Sequence, residues 1–143
     1  MDGEFFLGLD KINALTLKSQ KLLVVVEDFD GNNTYELYDK FAIGSEDEQY
    51  ILHTLGSASG TAGDSLRRQQ GMKFTTFDQD NDTYEAKNCA VRFPGPWWYA
   101  NCHDSHLAGV YNNNKFGVGV NWDTFRGPNY SLKRAEMMIR PRD

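Results

Sequence analysis

The sequence predicts a mixed α+β fold: a twisted antiparallel sheet, short helices and one large loop-built region. Three observations carry that prediction. The short apolar, β-branched run Leu22–Glu27 is followed by an Asp-Gly turn and a partly alternating segment that returns. Apolar residues at helical spacing come just before it. From Gly71 to Gly119, Gly, Asn, Asp and Pro interrupt every stretch, yet aromatic residues recur throughout. A long irregular segment rich in rings is expected to be ordered and functional rather than disordered.

In chain order, Gly8–Lys18 carries Leu9, Ile12 and Leu15 on one face and predicts a short amphipathic helix capped by Asp10. Leu22–Glu27 reads as a buried strand. Asp30-Gly31 with Asn32-Asn33 is a turn, and Thr34–Ile43 is the returning strand. An acidic turn at Gly44–Glu48 leads to a third strand, Gln49–Leu55, which completes an antiparallel meander. Gly56–Gly63 is a loop of small residues. Asp64 is placed to cap a short helix, and Arg67 and Arg68 read as a solvated face. Ser131–Arg140 closes the sequence as a strand.

The protein has 143 residues, which suits one domain, and 40% hydrophobic residues, which suffices for a core. A net charge of −5 argues against a nucleic-acid partner. No apolar run is long enough for a membrane span, and the first residues do not read as a leader peptide.

The chemistry concentrates in one stretch, Phe77–His106. Asp78, Asp80 and Asp82 alternate, with Asn81 and Glu85 nearby. Carboxylates at this spacing repel unless a cation joins them, and hard oxygen ligands in an irregular loop suit calcium (Ca2+). The run is not an EF-hand, because Thr83 and Cys89 stand where that loop needs Gly and a bidentate Glu. A solvated acidic turn is the competing reading. Cys89 and Cys102 are the only cysteines. They could close a disulfide, or join His103 and His106 around zinc. Adjacent Cys102 and His103 side chains diverge and there is no C-x-x-C pair, so the disulfide is favoured, and with it an oxidising compartment. Trp97, Trp98, Tyr99 and His103, with Phe93 and Phe116, either line a ligand pocket or fill the core of a strand-poor region. Hydrolase readings fail. Ser65 in Gly63-Asp64-Ser65-Leu66 lies mid-sequence, without a correctly spaced late D-x-x-H. Asp104, Ser105 and His106 are too close in sequence to form a triad. Sequons begin at Asn32, Asn81 and Asn129; a glycan on Asn81 would sit on the acidic loop.

Several ordered motifs then carry a family resemblance. FTTFDQDND, NCAV, WWYANCH and HLAGVY resemble the fibrinogen C-terminal globular domain, shared by fibrinogens, ficolins, tachylectins and angiopoietins. GEFFLG at Gly3–Gly8, DFDGN at Asp28–Asn32, AGDSL at Ala62–Leu66, GVNW at Gly119–Trp122 and NYSLKRAEMMIRP at Asn129–Pro141 extend the resemblance along the sequence. It implies a fibrinogen C-terminal-like α+β fold and a Cys89–Cys102 disulfide. It implies calcium held by Asp80 and Asp82 with the backbone carbonyls of Tyr84 and Ala86. It also implies a pocket formed by Phe93, Trp98, Asn101, Cys102, His103, Phe116 and Gly117, with the Asn101–Cys102 peptide cis as in several relatives. Phe93 and Phe116 stand where an acetyl-binding relative has tyrosines. Gly117 stands where the fibrinogens use an acid to take a peptide amino terminus, which argues against that ligand.

The resemblance implies a secreted, non-enzymatic recognition module. Its expected partners are an acetylated or other glycan in innate defence or, alternatively, a cell-surface protein of receptor or adhesion type. Oligomers would form through upstream segments. Residues 1–143 would then be a partial domain lacking its N-terminal subdomain, with exposed sheet edges and reduced stability.

Overall fold

A computed structural model describes residues 2–142, with side chains from residue 8 onward. Most of the Gly3–Gly8 motif therefore lies outside the described side chains. Helix α1 spans Asp2–Leu15. It starts earlier and stops sooner than the apolar spacing predicts. Asp10 is consequently mid-helix and caps nothing; its carboxylate accepts a hydrogen bond from the Tyr50 hydroxyl at 2.7 Å. Leu9 is buried and Ile12 half-buried, whereas Leu15 is exposed. The Thr16 N–H and hydroxyl both donate to the Ile12 carbonyl and close the helix end.

Strands β1 (Gln20–Glu27) and β2 (Asn33–Ala42) form the central antiparallel hairpin. The Asp28 carboxylate shapes the turn by accepting the N–H groups of Asp30 and Asn32, each at 2.9 Å, and Gly31 takes φ +88°. In β1, Leu22, Val24 and Val26 are fully buried, while Leu23 and Val25 on the other face are half-buried. The apolar run is thus an alternating strand with one fully covered face.

The expected third strand is mostly absent. Only β3 (Thr54–Leu55) pairs with β2, and β4 (Ala58–Gly60) pairs with another part of β2. Gln49 and Tyr50 adopt left-handed conformations, with φ +55° and +50°. The backbone bonds of Gln49 and Leu52 go instead to residues 71–74: Phe74 N–H to Gln49 O, Leu52 N–H to Met72 O, and Gly71 N–H to Leu52 O. Strand pairing is given up for a loop-to-loop ladder, because every buried backbone group needs some partner. The Asp64 turn forms as a single 3-10 turn at Arg67–Gln69, with the Asp64 carboxylate accepting the N–H groups of Leu66 and Arg67.

The loop region contributes helix α2 (Cys89–Arg92), strand β5 (Ser105–His106), strand β6 (Asn121–Trp122), which pairs with β5, and helix α3 (Asp123–Arg126). The last strand, β7 (Arg134–Arg140), pairs antiparallel with β1, giving the order β3-β2-β1-β7. It is shorter than the predicted Ser131–Arg140. The Ser131 hydroxyl accepts the N–H groups of Asn112 and Val120, and Leu132 N–H donates to Val120 O, so these residues tie down the loop region. One core joins sheet and loops: Leu22, Val24, Tyr38 and Phe41 pack in the same cluster as Trp98, Tyr99 and Trp122.

Candidate functional site

The acidic loop is arranged by its own backbone. Asp78 turns away to accept the Thr76 hydroxyl at 2.6 Å. Asp80 accepts the Asp82 N–H at 3.2 Å. Asp82 uses both oxygens, accepting the Tyr84 N–H and the Cys89 N–H at 2.8 Å each. Burial pushes the Asp82 carboxyl above the usual carboxylate range; the two N–H bonds oppose this, and the adjacent Asp80 charge adds to it. Among the described residues, no three Asp, Glu, His or Cys side chains converge on a metal position. What the loop presents is therefore two neighbouring carboxylates, those of Asp80 and Asp82. The Tyr84 carbonyl also accepts the Lys87 N–H, at 3.3 Å. The donors are all hard oxygens, a set that fits calcium better than softer metals. The Asn81 amide points inward and donates to the Phe74 carbonyl at 2.9 Å, which leaves it poorly placed for a glycan.

Cys89 and Cys102 form a disulfide, with Cα atoms 5.7 Å apart. Zinc ligation by these cysteines is thereby excluded. Closure of a loop of this size contributes roughly 3 kcal/mol in the chain-entropy picture. The bond joins the first residue of α2 to the far end of the ring-rich segment. The peptide between Asn101 and Cys102 is cis.

A cavity of about 210 Å³ opens beside the disulfide. Phe93, Asn101, Cys102, His103, Phe116 and Gly117 all line it, although they come from three separate loops. His103 stands edge-on to Phe93, with ring centroids 5.0 Å apart, and its Nε2–H donates to the Gly117 carbonyl at 3.0 Å. That bond fixes the tautomer with Nδ1 as an acceptor. Burial pushes the His103 pKa down to about 4, so the ring is neutral near pH 7. Beneath it His106 is fully buried against the Tyr99 hydroxyl at 2.5 Å, with its pKa lowered to about 3 by burial and the neighbouring His103. Gly117 has φ +70°, and a Cβ there would lie 2.7 Å from the Phe93 ring. An acid at this position, as the resemblance describes for the fibrinogens, would clash with Phe93.

Trp98 does not line this cavity. It is 3% exposed and packs against Phe41, Phe74 and Trp97, and its indole N–H donates to the Tyr50 carbonyl at 2.8 Å. Its role is structural. Conversely, Arg68, Arg92, Asp123 and Pro128 line the cavity without any local sequence signal. Arg68 is not part of a merely solvated face: it pairs with Asp104 at 3.1 Å and donates to the Asn101 carbonyl. Arg92 lies over the rings of Tyr84 and Phe93 and so connects the acidic loop to the cavity wall. The serines of the two motifs weighed as hydrolase-like are both buried. Ser65 is 1% exposed and bonded to Thr124, and Ser105 is fully buried.

A rigid sheet carrying a loop-built, disulfide-braced cavity defines a recognition domain. The chain belongs to the fibrinogen C-terminal domain family: residues 1–142 match the family described as the C-terminal globular domain of the fibrinogen beta and gamma chains. It is 46% identical over 144 residues to Ryncolin-4 of Cerberus rynchops, covering 97% of this chain and 41% of that protein. It is 45% identical over 150 residues to Fibrinogen C domain-containing protein 1 of Macaca fascicularis, covering 99% of this chain and 34% of that protein. The chain thus spans well under half the length of these relatives. Among solved structures, the fibrinogen-like globe domain of human ANGPTL2 superposes with TM-score 0.90 at 43% identity, covering 96% of this chain and 65% of that one. Lamprey fibrin D-dimer in complex with the peptide Gly-His-Arg-Pro-amide superposes with TM-score 0.87 at 28% identity, covering 95% and 50%. Among the described residues, no helix is long and apolar enough to cross a membrane.

Proposed function

We propose that this protein is a non-enzymatic, calcium-dependent recognition module of the extracellular space, whose cavity takes acetylated or other glycans. One observation carries the reading: Asp82 holds the backbone of both Tyr84 and Cys89, and Cys89 opens the short helix that leads through Arg92 into the cavity wall at Phe93. The acidic loop and the cavity are thus one continuous structure. Asp80 and Asp82, with the carbonyls of Tyr84 and Ala86, would hold the ion, whose positive charge offsets the crowded carboxylates. Phe93 and Phe116 supply apolar walls for a methyl group or a sugar face. Cys102, His103 and the Asn101 peptide supply polar edges. The test is binding to a glycan array in calcium, in chelator, and in calcium with excess free N-acetylglucosamine. Signal lost in chelator and competed by the sugar supports the reading; signal indifferent to both overturns it.

A protein ligand is the second reading, favoured by the fibrin relative whose structure contains a bound peptide. A silent glycan array together with saturable binding to a cell-surface protein would select it.

A further inference from the structure

Strand β7 pairs with β1 on one side, and among the described residues no strand pairs with its other side. The core thins towards that edge. Leu22 and Val24 of β1 are fully buried, but their β7 partners Ile139 and Met137 are only half-buried. On the opposite face of the sheet Met138 is 38% exposed and lies beside the half-buried Leu23. An open edge of apolar residues is a template for another strand, and proteins that stay apart guard such an edge with charges or a bulge. Within Ala135–Ile139 the only charge is that of Glu136, and β7 follows β1 without a shift in register.

The charges on and beside this run select the strand that fits. When two copies of β7 meet antiparallel about a two-fold axis, facing residues lie equally far from the axis. With the axis at Met138, Glu136 faces Arg140 twice and Met137 faces Ile139 twice. With the axis at Met137, Arg134 faces Arg140; with it at Glu136, the two acids face each other. Opposite charges across a strand pair stabilise it, and like charges oppose it. The charges are free to meet. Both bonds from Arg134 to Glu136 end on Oε1, at 2.9 and 2.7 Å, which leaves Oε2 for another donor. Arg140 is exposed and makes no ion pair among the described residues. Pro141, which has no N–H, ends the ladder just beyond it.

We infer that β7 is a dimerisation edge: a second copy of this chain pairs its own β7 antiparallel, with Met138 on the two-fold axis, and the two sheets become one. Met137 and Ile139 of the two copies then cover each other on the core face, where each chain alone leaves them half-buried. The inference depends on neither calcium nor a ligand.

The test is sedimentation of the 143-residue chain over a wide range of concentration, unmutated and as Glu136→Arg, Arg140→Glu and the double exchange. A reversible dimer is expected. Each single reversal should weaken it about tenfold or more, because it turns two attractions into repulsions. The double exchange should restore affinity to within about threefold, which also shows that the single variants fail for reasons of charge and not of folding. A monomer at every concentration overturns the inference, including one whose β7 amides hydrogen exchange shows to be covered from within the chain. So does a dimer that ignores both single reversals, a double exchange that restores nothing, or tightening by Arg140→Glu, which the register centred on Met137 would give.

Discussion

Trp98 and Phe116 offer a two-sided test of where the core ends and the ligand cavity begins. Trp98 is 3% exposed, and its indole N–H donates to the Tyr50 carbonyl. Trp98→Phe removes that donor and leaves a void between Phe41, Phe74 and Trp97. Full truncation of a buried Trp costs about 3–5 kcal/mol, and a buried acceptor that loses its donor costs about 1–3 kcal/mol. The partial truncation should therefore cost about 2–4 kcal/mol. For a domain of this size that is a fall of roughly 10 °C in melting temperature. Phe116 is 61% exposed, and its ring lies 6.4 Å from that of Phe93. Phe116→Ala should change stability by less than about 0.5 kcal/mol while removing one cavity wall. The assay is scanning calorimetry of both variants, paired with N-acetylglucosamine titration. Trp98→Phe should melt early and, below its melting temperature, bind normally; Phe116→Ala should melt normally and bind weakly. A Trp98→Phe variant that keeps its melting temperature to within about 2 °C yet loses the sugar would refute the assignment of that ring to the core.

Two further outcomes are expected. In chelator, Asp80→Asn should leave stability unchanged or slightly raised, because it removes a like charge beside Asp82. With calcium at about a hundred times its Kd, the unmutated protein should gain about 2.7 kcal/mol and the variant far less; equal calcium-induced shifts in melting temperature would rule out Asp80 as a ligand. Stability should also fall in acid. His103 and His106 have folded pKa values of about 4 and about 3, below the unfolded value near 6.5, so protons bind the unfolded state more readily. Their contribution is complete above about pH 6.5 and is lost as pH falls towards 4 and then 3. Urea midpoints across that range should decline, with a shallower slope in His103→Gln; identical slopes would contradict the buried, neutral ring.

Local order was readable in the residues themselves. The apolar, β-branched run Leu22–Glu27, the Asp-Gly turn and the returning strand needed only neighbouring positions to specify a hairpin. Helix α1 was legible in kind but not in extent. The third strand was misread because the partners of Gln49 and Leu52 lie at residues 71–74, which no short-range pattern announces. The ring-rich loop and its cysteines were visible as a candidate site, and most of the expected pocket residues share one cavity.

What the sequence settled by itself was the family, the antiparallel hairpin and the ring-rich stretch that carries the disulfide, because those depend on spacing between residues. Only the tertiary structure could bury Trp98 in the core and bring Arg68 and Asp123 to a wall shared with His103. Aromatic residues pack equally well in a core or around a cavity, and which they do depends on how distant loops close over them. The same closure leaves one oxygen of Asp123 buried without a hydrogen-bond partner among the described residues, a circumstance set by what surrounds it in space and not by its neighbours in sequence.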